Sequence, residues 1–485
     1  MRAPNGIHPD QHEIIVNPGN PTQVFESSDG GVIRTSGLFT DISSQCDDPT
    51  RNGGTPLPPA SGSYAACKRL LSRVPTALDH IDNRLSSTLQ FINVAINPFL
   101  SCEVMGGTQD NGTWSNNNGC GRDVFNQIVY GDGGNAVYDA TEPTWRANEF
   151  TGGFGDSNFR NGDPERWVIS TAPLVNSGEP FAFYWPQIGD PNPQPGTHPI
   201  YNGGAHVWRS WAFGAGTPGQ VPQDTTPNIA FYEANCPEFV TPGNDPNCGD
   251  YQPLGAPGLN TAGDLTGTFY GADRTGGSMS FMARSGADHG TMWAATSAGR
   301  IFVSHNVNAS DPAAVTWHRI DNATSPTRFP SGIYVDPADA GHAWVTYSGY
   351  NAATPTTPGH VFEALENGAA PGSGVFTNLN VESGTSAYPT PFDDGDLPVS
   401  DVVRDDATHT LYVATDFGVL RGSNDGHSGW HTTLGMPRYE VMHLEIQPSN
   451  RVPTCMGGGH CARVLYAATH SQGIWRVKLN GHGHH

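Results

Sequence analysis

Short acidic turns recur along this sequence, each setting a carboxylate beside a proline or among glycines. Asp10 stands in HPDQH (8–12), Asp29 in SSDGGV (27–32), Asp110 in GGTQDNGTW (106–114) and Asp132 in YGDGG (130–134). Two carboxyl groups suit glycoside hydrolysis, which needs them about 5–5.5 Å apart for retention or about 6.5–9.5 Å for inversion. Gln109 and Trp114 flank one of these acids, and an indole face can stack on a sugar ring. The same turns serve structure equally well, because Asp bonds nearby backbone N–H groups and coordinates calcium. A further run, Asp393-Asp394-Gly395-Asp396, lacks the spacing of a helix–loop–helix calcium site. No cofactor is expected beyond a structural calcium ion.

Arginines offer a second chemistry. Arg274, Arg328 and Arg438 each precede a predicted inner strand, and guanidinium groups bind carboxylates bidentately. Tyr439 and Glu440 follow the last of them, but neighbours in a strand face opposite ways and cannot form a nucleophile–base pair. With 22 arginines in the chain, chance placement of three is an ordinary explanation. Among the tryptophans, Trp114, Trp145, Trp185 and Trp211 fall in or near predicted loops and are the candidate sugar platforms. Trp293, Trp317, Trp344, Trp430 and Trp475 fall on predicted strands and read as packing residues.

The elements that must hold these groups are strands. Gly (60) and Pro (40) make up about a fifth of the 485 residues, against roughly 12% in average proteins. Such a load excludes long helical bundles, while 11 Trp, 15 Tyr and 21 Phe supply bulky core. No run reaches 18 apolar residues, so no membrane insertion is expected. The net charge of -22 repels phosphate backbones and excludes a nucleic-acid binder.

One pattern repeats: a strand, a tight Gly turn, then another strand carrying an aromatic or Val-Phe pair. It is clearest at 291–305, 331–350, 399–423 and 441–479, and weaker at 12–36, 90–114, 135–153 and 181–211, where FAFYWPQ (181–187) is paired with AHVWRSW (205–211). A single meander cannot bury both of its faces, so units must stack. Radial stacking of such units predicts an all-β propeller of seven or eight four-stranded blades. One domain is expected over 1–480, with insertions at about 37–87, 186–204 and 213–277 and a tail at 481–485. The stretch KRLLSRV in the first insertion reads as a short helix. His12–Val16 is the candidate strand for closing the last blade of a complete ring.

Eight cysteines fall in close sequential pairs, Cys46/Cys67, Cys102/Cys120, Cys236/Cys248 and Cys455/Cys461. That spacing favours nearest-neighbour bridges and an oxidising, extracellular or cell-surface location.

The strings HPDQH, SSDGGV, GGTQDNGTW, LYVATDFGVL (411–420) and ATHSQGIW (468–475) give the chain its likeness to known proteins. It resembles the secreted propellers with BNR or Asp-box repeats, a group that includes sialidase-like, sortilin-type and xyloglucanase-type glycoside hydrolase members. The clearest remnant of the box is SNDGHSGW (423–430), with His427 where the family has Gly. The resemblance implies that Asp425 holds a hairpin turn by bonding backbone N–H groups, away from the working face. It singles out Asp10 and Asp110 as the catalytic pair, since their strings are among the family's most recognisable. Asp29, Gln109, Asp132, Trp114, Arg274, Arg328 and Arg438 are the candidate ligand contacts. Two functions are carried forward. One is a non-catalytic extracellular propeller that binds protein or polysaccharide through long rim loops, or self-assembles as a surface component. The other is a glycoside hydrolase-like enzyme with an Asp pair in the propeller mouth.

Overall fold

The computed structural model describes residues 8, 10–48, 58–81, 89–116, 125–379, 396–433, 435–447 and 463–479. The chain divides into two compact units, 1–88 and 89–485. This corrects the expectation of one domain over 1–480.

In the first unit the strands Gln11–Val16, Val24–Ser28, Gly31–Thr35 and Leu78–His80 form one antiparallel sheet. Gln11–Val16 pairs with Val24–Ser28 as a member of this sheet, so the strand expected to close the ring has a different role. The helix Gly62–Leu71 begins at Ser61, whose hydroxyl accepts from the Tyr64 N–H at 3.1 Å, a standard N-cap. It includes Lys68–Leu71, as the sequence predicts. Cys46–Cys67 ties this helix to the short turn Ser43–Asp47.

The second unit contains seven antiparallel sheets in chain order. Sheet 1 has the strands Ala95–Ile96, Val104–Thr108, Gly112–Ser115 and Asn126–Val129. Sheet 2 has Ala136–Tyr138, Arg146–Glu149, Gly155–Asn158 and Trp167–Ile169. Sheet 3 has Gln187–Gly189, Ile200–Gly203, Val207–Ser210 and Gln252–Pro253. Sheet 4 has Met279–Arg284, Met292–Thr296, Ile301–Ser304 and His318–Arg319. Sheet 5 has Pro330–Val335, His342–Tyr347, Val361–Leu365 and Val375–Asn378. Sheet 6 has Val399–Asp405, Thr410–Thr415, Gly418–Ser423 and Trp430–Thr432. Sheet 7, among the described residues, has Val441–Gln447, Arg463–Thr469 and Ile474–Leu479.

Packing shows that these sheets close into a ring. Each short meander buries its faces against its neighbours, and the apolar clusters fall one to each interface. Met105 and Tyr138 mark the cluster between sheets 1 and 2, and Ala147 and Trp208 that between 2 and 3. Tyr201 with Met282, Trp293 with Val345, and Trp344 with Val413 mark the next three. Val419 with Leu444 joins sheets 6 and 7, and Val104 with Tyr466 joins sheet 7 back to sheet 1. Residues Leu89–Ile92 latch the closure: Phe91 N–H donates to Thr469 O at 3.0 Å and Ile92 N–H to Gly107 O at 2.9 Å. Among the described residues the ring therefore has seven sheets, the lower of the two expected numbers.

Two details of the sequence reading change. The stretch 186–204, expected to be an insertion, supplies the first two strands of sheet 3, and Phe181–Trp185 lies outside the strands. The stretch 213–277 is an excursion carrying one helix, Ile229–Asn235, and the short edge strand Gln252–Pro253. Cys236–Cys248 clips it. Cys102 is also disulfide-bonded, while Cys120, Cys455 and Cys461 lie outside the described residues. Among the described residues no helix is long and apolar enough to cross a membrane.

The arginines are the second packing device. Arg146 of sheet 2 reaches Glu103 of sheet 1 at 2.9 Å with both side chains buried. Arg284 of sheet 4 reaches Asp190, beside sheet 3, also at 2.9 Å. Arg463 of sheet 7 pairs with Asp405 of sheet 6 at 2.8 Å. Guanidinium forks match carboxylates and carbonyls bidentately where a lysine cannot, which accounts for 22 arginines and only two lysines.

Candidate functional site

Strand direction alternates in every sheet. The links that lead into each first strand therefore emerge at the same end of the ring as the hairpins between second and third strands. Gln109 and Asp110 occupy such a hairpin of sheet 1, and Asp132 the link from sheet 1 to sheet 2. Glu149 ends the second strand of sheet 2, and Tyr184 lies in the link to sheet 3. All are at this front rim.

Backbone geometry brings them together. Asp110 has φ 60°, a left-handed value that Asp tolerates better than most side chains. Its N–H donates to Asp132 Oδ1 at 3.1 Å. The YGDGG string is built for close approach. A Cβ on Gly133 would lie 2.4 Å from Gly112 O, and one on Gly134 would lie 2.2 Å from Glu149 Oε1 and 2.7 Å from the Tyr184 ring. Glu149 is fully buried. Its Oε1 accepts from Asn135 N–H at 2.9 Å and from Asn135 Nδ2 at 3.0 Å, whereas Oε2 has no partner among the described residues. Burial holds this carboxyl well above the usual carboxylate range. Burial also raises the Tyr184 phenol, with the nearby Asp132, Asp110 and Glu149 adding to it.

Aromatic rings surround the acids. Phe183 and Tyr184 meet edge to face at 4.9 Å, and Tyr130 stacks on Phe239 at 5.2 Å. Phe154, Phe183 and Phe239 are 42%, 58% and 46% exposed, so this sector of the rim presents rings to solvent beside carboxyl groups.

The remaining candidates fall elsewhere. Arg274 donates to Gly299 O, Asn322 O and Ser325 O, and lies 3.1 Å from Asp321. Arg328 bonds Asn351 Oδ1 at 3.0 Å and the Gly359 carbonyl. Both guanidinium groups knit loops together, and Arg438 is exposed. Trp114 packs against the cluster between sheets 7 and 1 and donates to Asn111 O at 2.7 Å. Trp185 and Trp211, expected in loops as sugar platforms, are buried. Asp425 bonds Arg404 at 2.6 Å and His409 at 3.2 Å. It is structural, as expected, but through an ion pair to a neighbouring strand. Within the acidic run 393–396 only Asp396 is described, and it accepts from Asn351 N–H at 2.8 Å.

Asp10 and Asp29 belong to the first unit, whereas Asp110 belongs to the second. Asp29 N–H donates to Asp10 O at 3.3 Å, and Asp29 is hydrogen-bonded to His12. Ligand atoms of His8, Asp10 and Asp29 lie within 4.8 Å of one another. A mixed imidazole and carboxylate set of this kind suits a divalent transition ion better than calcium, which prefers an all-oxygen shell. Sequence reasoning named Asp110, Gln109 and Asp132, which lie on this rim, and did not name Glu149 and Tyr184 beside them. Glu149 sits in WRANEF (145–150), which carries no acidic-turn signature.

A closed ring of antiparallel sheets makes this a β-propeller protein. No protein-family model matches the sequence, and no curated protein does. Solved structures do match, among them YCF48 from Cyanidioschyzon merolae, with 12% identity and a TM-score of 0.49 over 81% of this chain and 95% of that one. The likeness to BNR and Asp-box propellers remains a resemblance carried by the strings quoted above.

Proposed function

We propose that the ring is an extracellular binding propeller that takes a neutral polysaccharide on the front rim of sheets 1–3. The observation that carries this is the meeting of Asp110, Asp132, Glu149 and Tyr184 beside the exposed rings of Phe154, Phe183 and Phe239. Carboxyl groups accept hydrogen bonds from sugar hydroxyls, and aromatic faces cover the C–H faces of sugar rings. The disulfides at Cys46–Cys67 and Cys236–Cys248 support an oxidising location.

Glu149 favours a second reading. A buried carboxyl with a raised pKa and one unpartnered oxygen has the character of a general acid. Asp132 is the nearby carboxylate that could serve as its partner in glycoside hydrolysis.

Affinity electrophoresis in gels containing soluble neutral polysaccharides tests the binding reading. Retardation is expected on at least one glucan or mannan, with Asp110→Ala and Asp132→Ala each weakening it about tenfold. Unretarded migration on every polysaccharide would overturn it. Release of reducing ends, abolished by Glu149→Gln, would establish the hydrolase instead.

A further inference from the structure

A second pair of acids lies apart from the Asp110–Glu149 group. Asp156, on the third strand of sheet 2, is 1% exposed. Glu238 belongs to the excursion between the third and fourth strands of sheet 3, two residues after Cys236. Its backbone is pinned: its N–H donates to Trp167 O at 3.1 Å, and Pro237 forms a bridge with Val168. The two carboxyl groups are close enough to influence one another's ionisation. No N–H or hydroxyl of the described residues reaches either oxygen of Asp156 or Oε2 of Glu238.

Both acids line a cavity of about 280 Å³, together with Phe150, Phe154, Ile169, Thr171 and Thr241. Nothing in this lining carries a positive charge, and no other lining residue titrates. Two acids this close are costly to ionise in an apolar setting. Burial raises the Asp156 carboxyl well above its usual range and Glu238 to about 7, so the pair holds a proton between its members near neutrality. The space is far larger than the ~30 Å³ share of one water molecule, and a bare metal ion would leave most of it unfilled. Its walls instead combine two carboxyl groups, the three threonines Thr151, Thr171 and Thr241, and two phenylalanine rings. An ammonium group on a short carbon chain fits each part: three N–H donors for the oxygens, a charge for the ring faces and an apolar stem for Ile169.

We propose that the Asp156–Glu238 cavity is a binding site for an alkylammonium group. The amine comes from a lysine side chain, an amino sugar or a free amine. On binding, the ammonium keeps its proton, the proton shared by the two carboxyls leaves to solvent, and both acids face the cation ionised. Affinity therefore rises with pH through about 7, where Glu238 ionises. The acids of this site are distinct from Asp110 and Asp132, while Phe154 borders both surfaces.

Isothermal titration of the full chain with n-butylammonium, glucosamine and N-acetyl-lysine methylamide tests this and distinguishes the sources. n-Butanol and calcium serve as controls. The expected result is binding of at least one of the three amines, about tenfold or more tighter near pH 8.5 than near pH 5.5. The heat should vary with the ionisation enthalpy of the buffer, reporting proton release. Glu238→Gln should abolish binding. Asp156→Asn, which keeps the shape of an acid that is neutral in the free protein, should fold and bind at least tenfold more weakly. Absence of binding by all three amines, equal binding of n-butanol, or calcium binding in place of the amines would each overturn the proposal.

Discussion

Sheets 2 and 6 are the same architectural unit built in two ways. In sheet 6 the middle strands run Thr410–Thr415 and Gly418–Ser423, and their buried residues include Leu411, Val413, Ala414, Val419 and Leu420. In sheet 2 the middle strands are Arg146–Ala147–Asn148–Glu149 and Gly155–Asp156–Ser157–Asn158, all of them buried. Polar groups outnumber apolar ones on these two strands and bond across the interfaces. Arg146 reaches Glu103 and Ser115, Asn148 bonds Thr113, and Ser157 donates to Phe213 O. Burying them without partners would be costly, yet Glu149 and Asp156 keep unpartnered oxygens. One side of the ring is packed with apolar side chains, and the other buries polar groups.

The inner strands repeat the contrast. In sheets 4 to 7 each first strand shifts register near its start, between Met279 and Phe281, Pro330 and Gly332, Val399 and Asp401, and Val441 and His443. The extra residue can stitch neighbours together, as Ser331 does by donating to Val399 O at 2.6 Å. The first strands of sheets 1 to 3 show no such shift and are two or three residues long. Longer inner strands with a register shift frame one side of the ring, and short unshifted ones frame the other.

The sharpest way to separate scaffold from site is Trp344→Ala in sheet 5. The indole is fully buried, so urea unfolding should show a loss of about 3–5 kcal/mol, with polysaccharide retardation intact wherever the protein remains folded. On the polar side, Glu103→Leu alone should cost about 3 kcal/mol by leaving Arg146 without its buried partner. The double change Arg146→Met/Glu103→Leu should recover most of that loss, because an apolar pair of similar volume avoids the desolvation. A double change that destabilises as much as the sum would show that the polar interface has no apolar equivalent. Replacing Cys236 and Cys248 by serine opens a loop with a sequence separation of 12. It should cost about 2–3 kcal/mol and weaken amine binding, since Glu238 is held beside that bridge.

Raising the pH reaches both sides of the ring. Burial lifts Glu238 and Asp250 to about 7 and Glu445 to about 8. A carboxyl raised in the folded state favours folding while protonated, and that contribution is lost as pH rises from its unfolded value, about 4, through the folded one. His443, lowered by burial to about 4, acts in the opposite direction between about pH 4 and 6.5. Denaturation midpoints should therefore fall between pH 6.5 and 8, and Asp250→Asn should flatten that fall. The smallest effect is expected at the exposed Arg160–Glu233 pair. Arg160→Ala should change stability by less than about 1 kcal/mol and leave binding unaffected.

Legibility followed the same division. The apolar repeats at 291–305, 331–350, 399–423 and 441–479 read directly as sheets 4 to 7, because alternation of apolar residues is the signal a strand leaves in sequence. In sheet 2 the string RANE carries almost no such signal, since its burial is polar. In sheet 3 the Pro-rich stretch 186–204 looked like a loop although it holds two strands. Among site residues, Asp110 and Asp132 showed through their Gly-flanked turns. Glu149, Asp156 and Glu238 did not, for they stand on or beside polar strands and acquire their character from burial.

The sequence by itself determined a strand-rich propeller. Its Gly and Pro load, its alternating apolar strings and its lack of long apolar helices left little else, since such meanders must stack to bury their faces. The close cysteine spacing likewise pointed to the two bridges that are described. Only the tertiary structure decided that 1–88 is a unit of its own and that seven sheets close the ring. It also decided which acids are buried and which lie together. An isolated carboxyl behaves alike wherever it stands in a chain, and the packing around it sets whether it ties a turn, neutralises an arginine or faces an open cavity with a proton to give up.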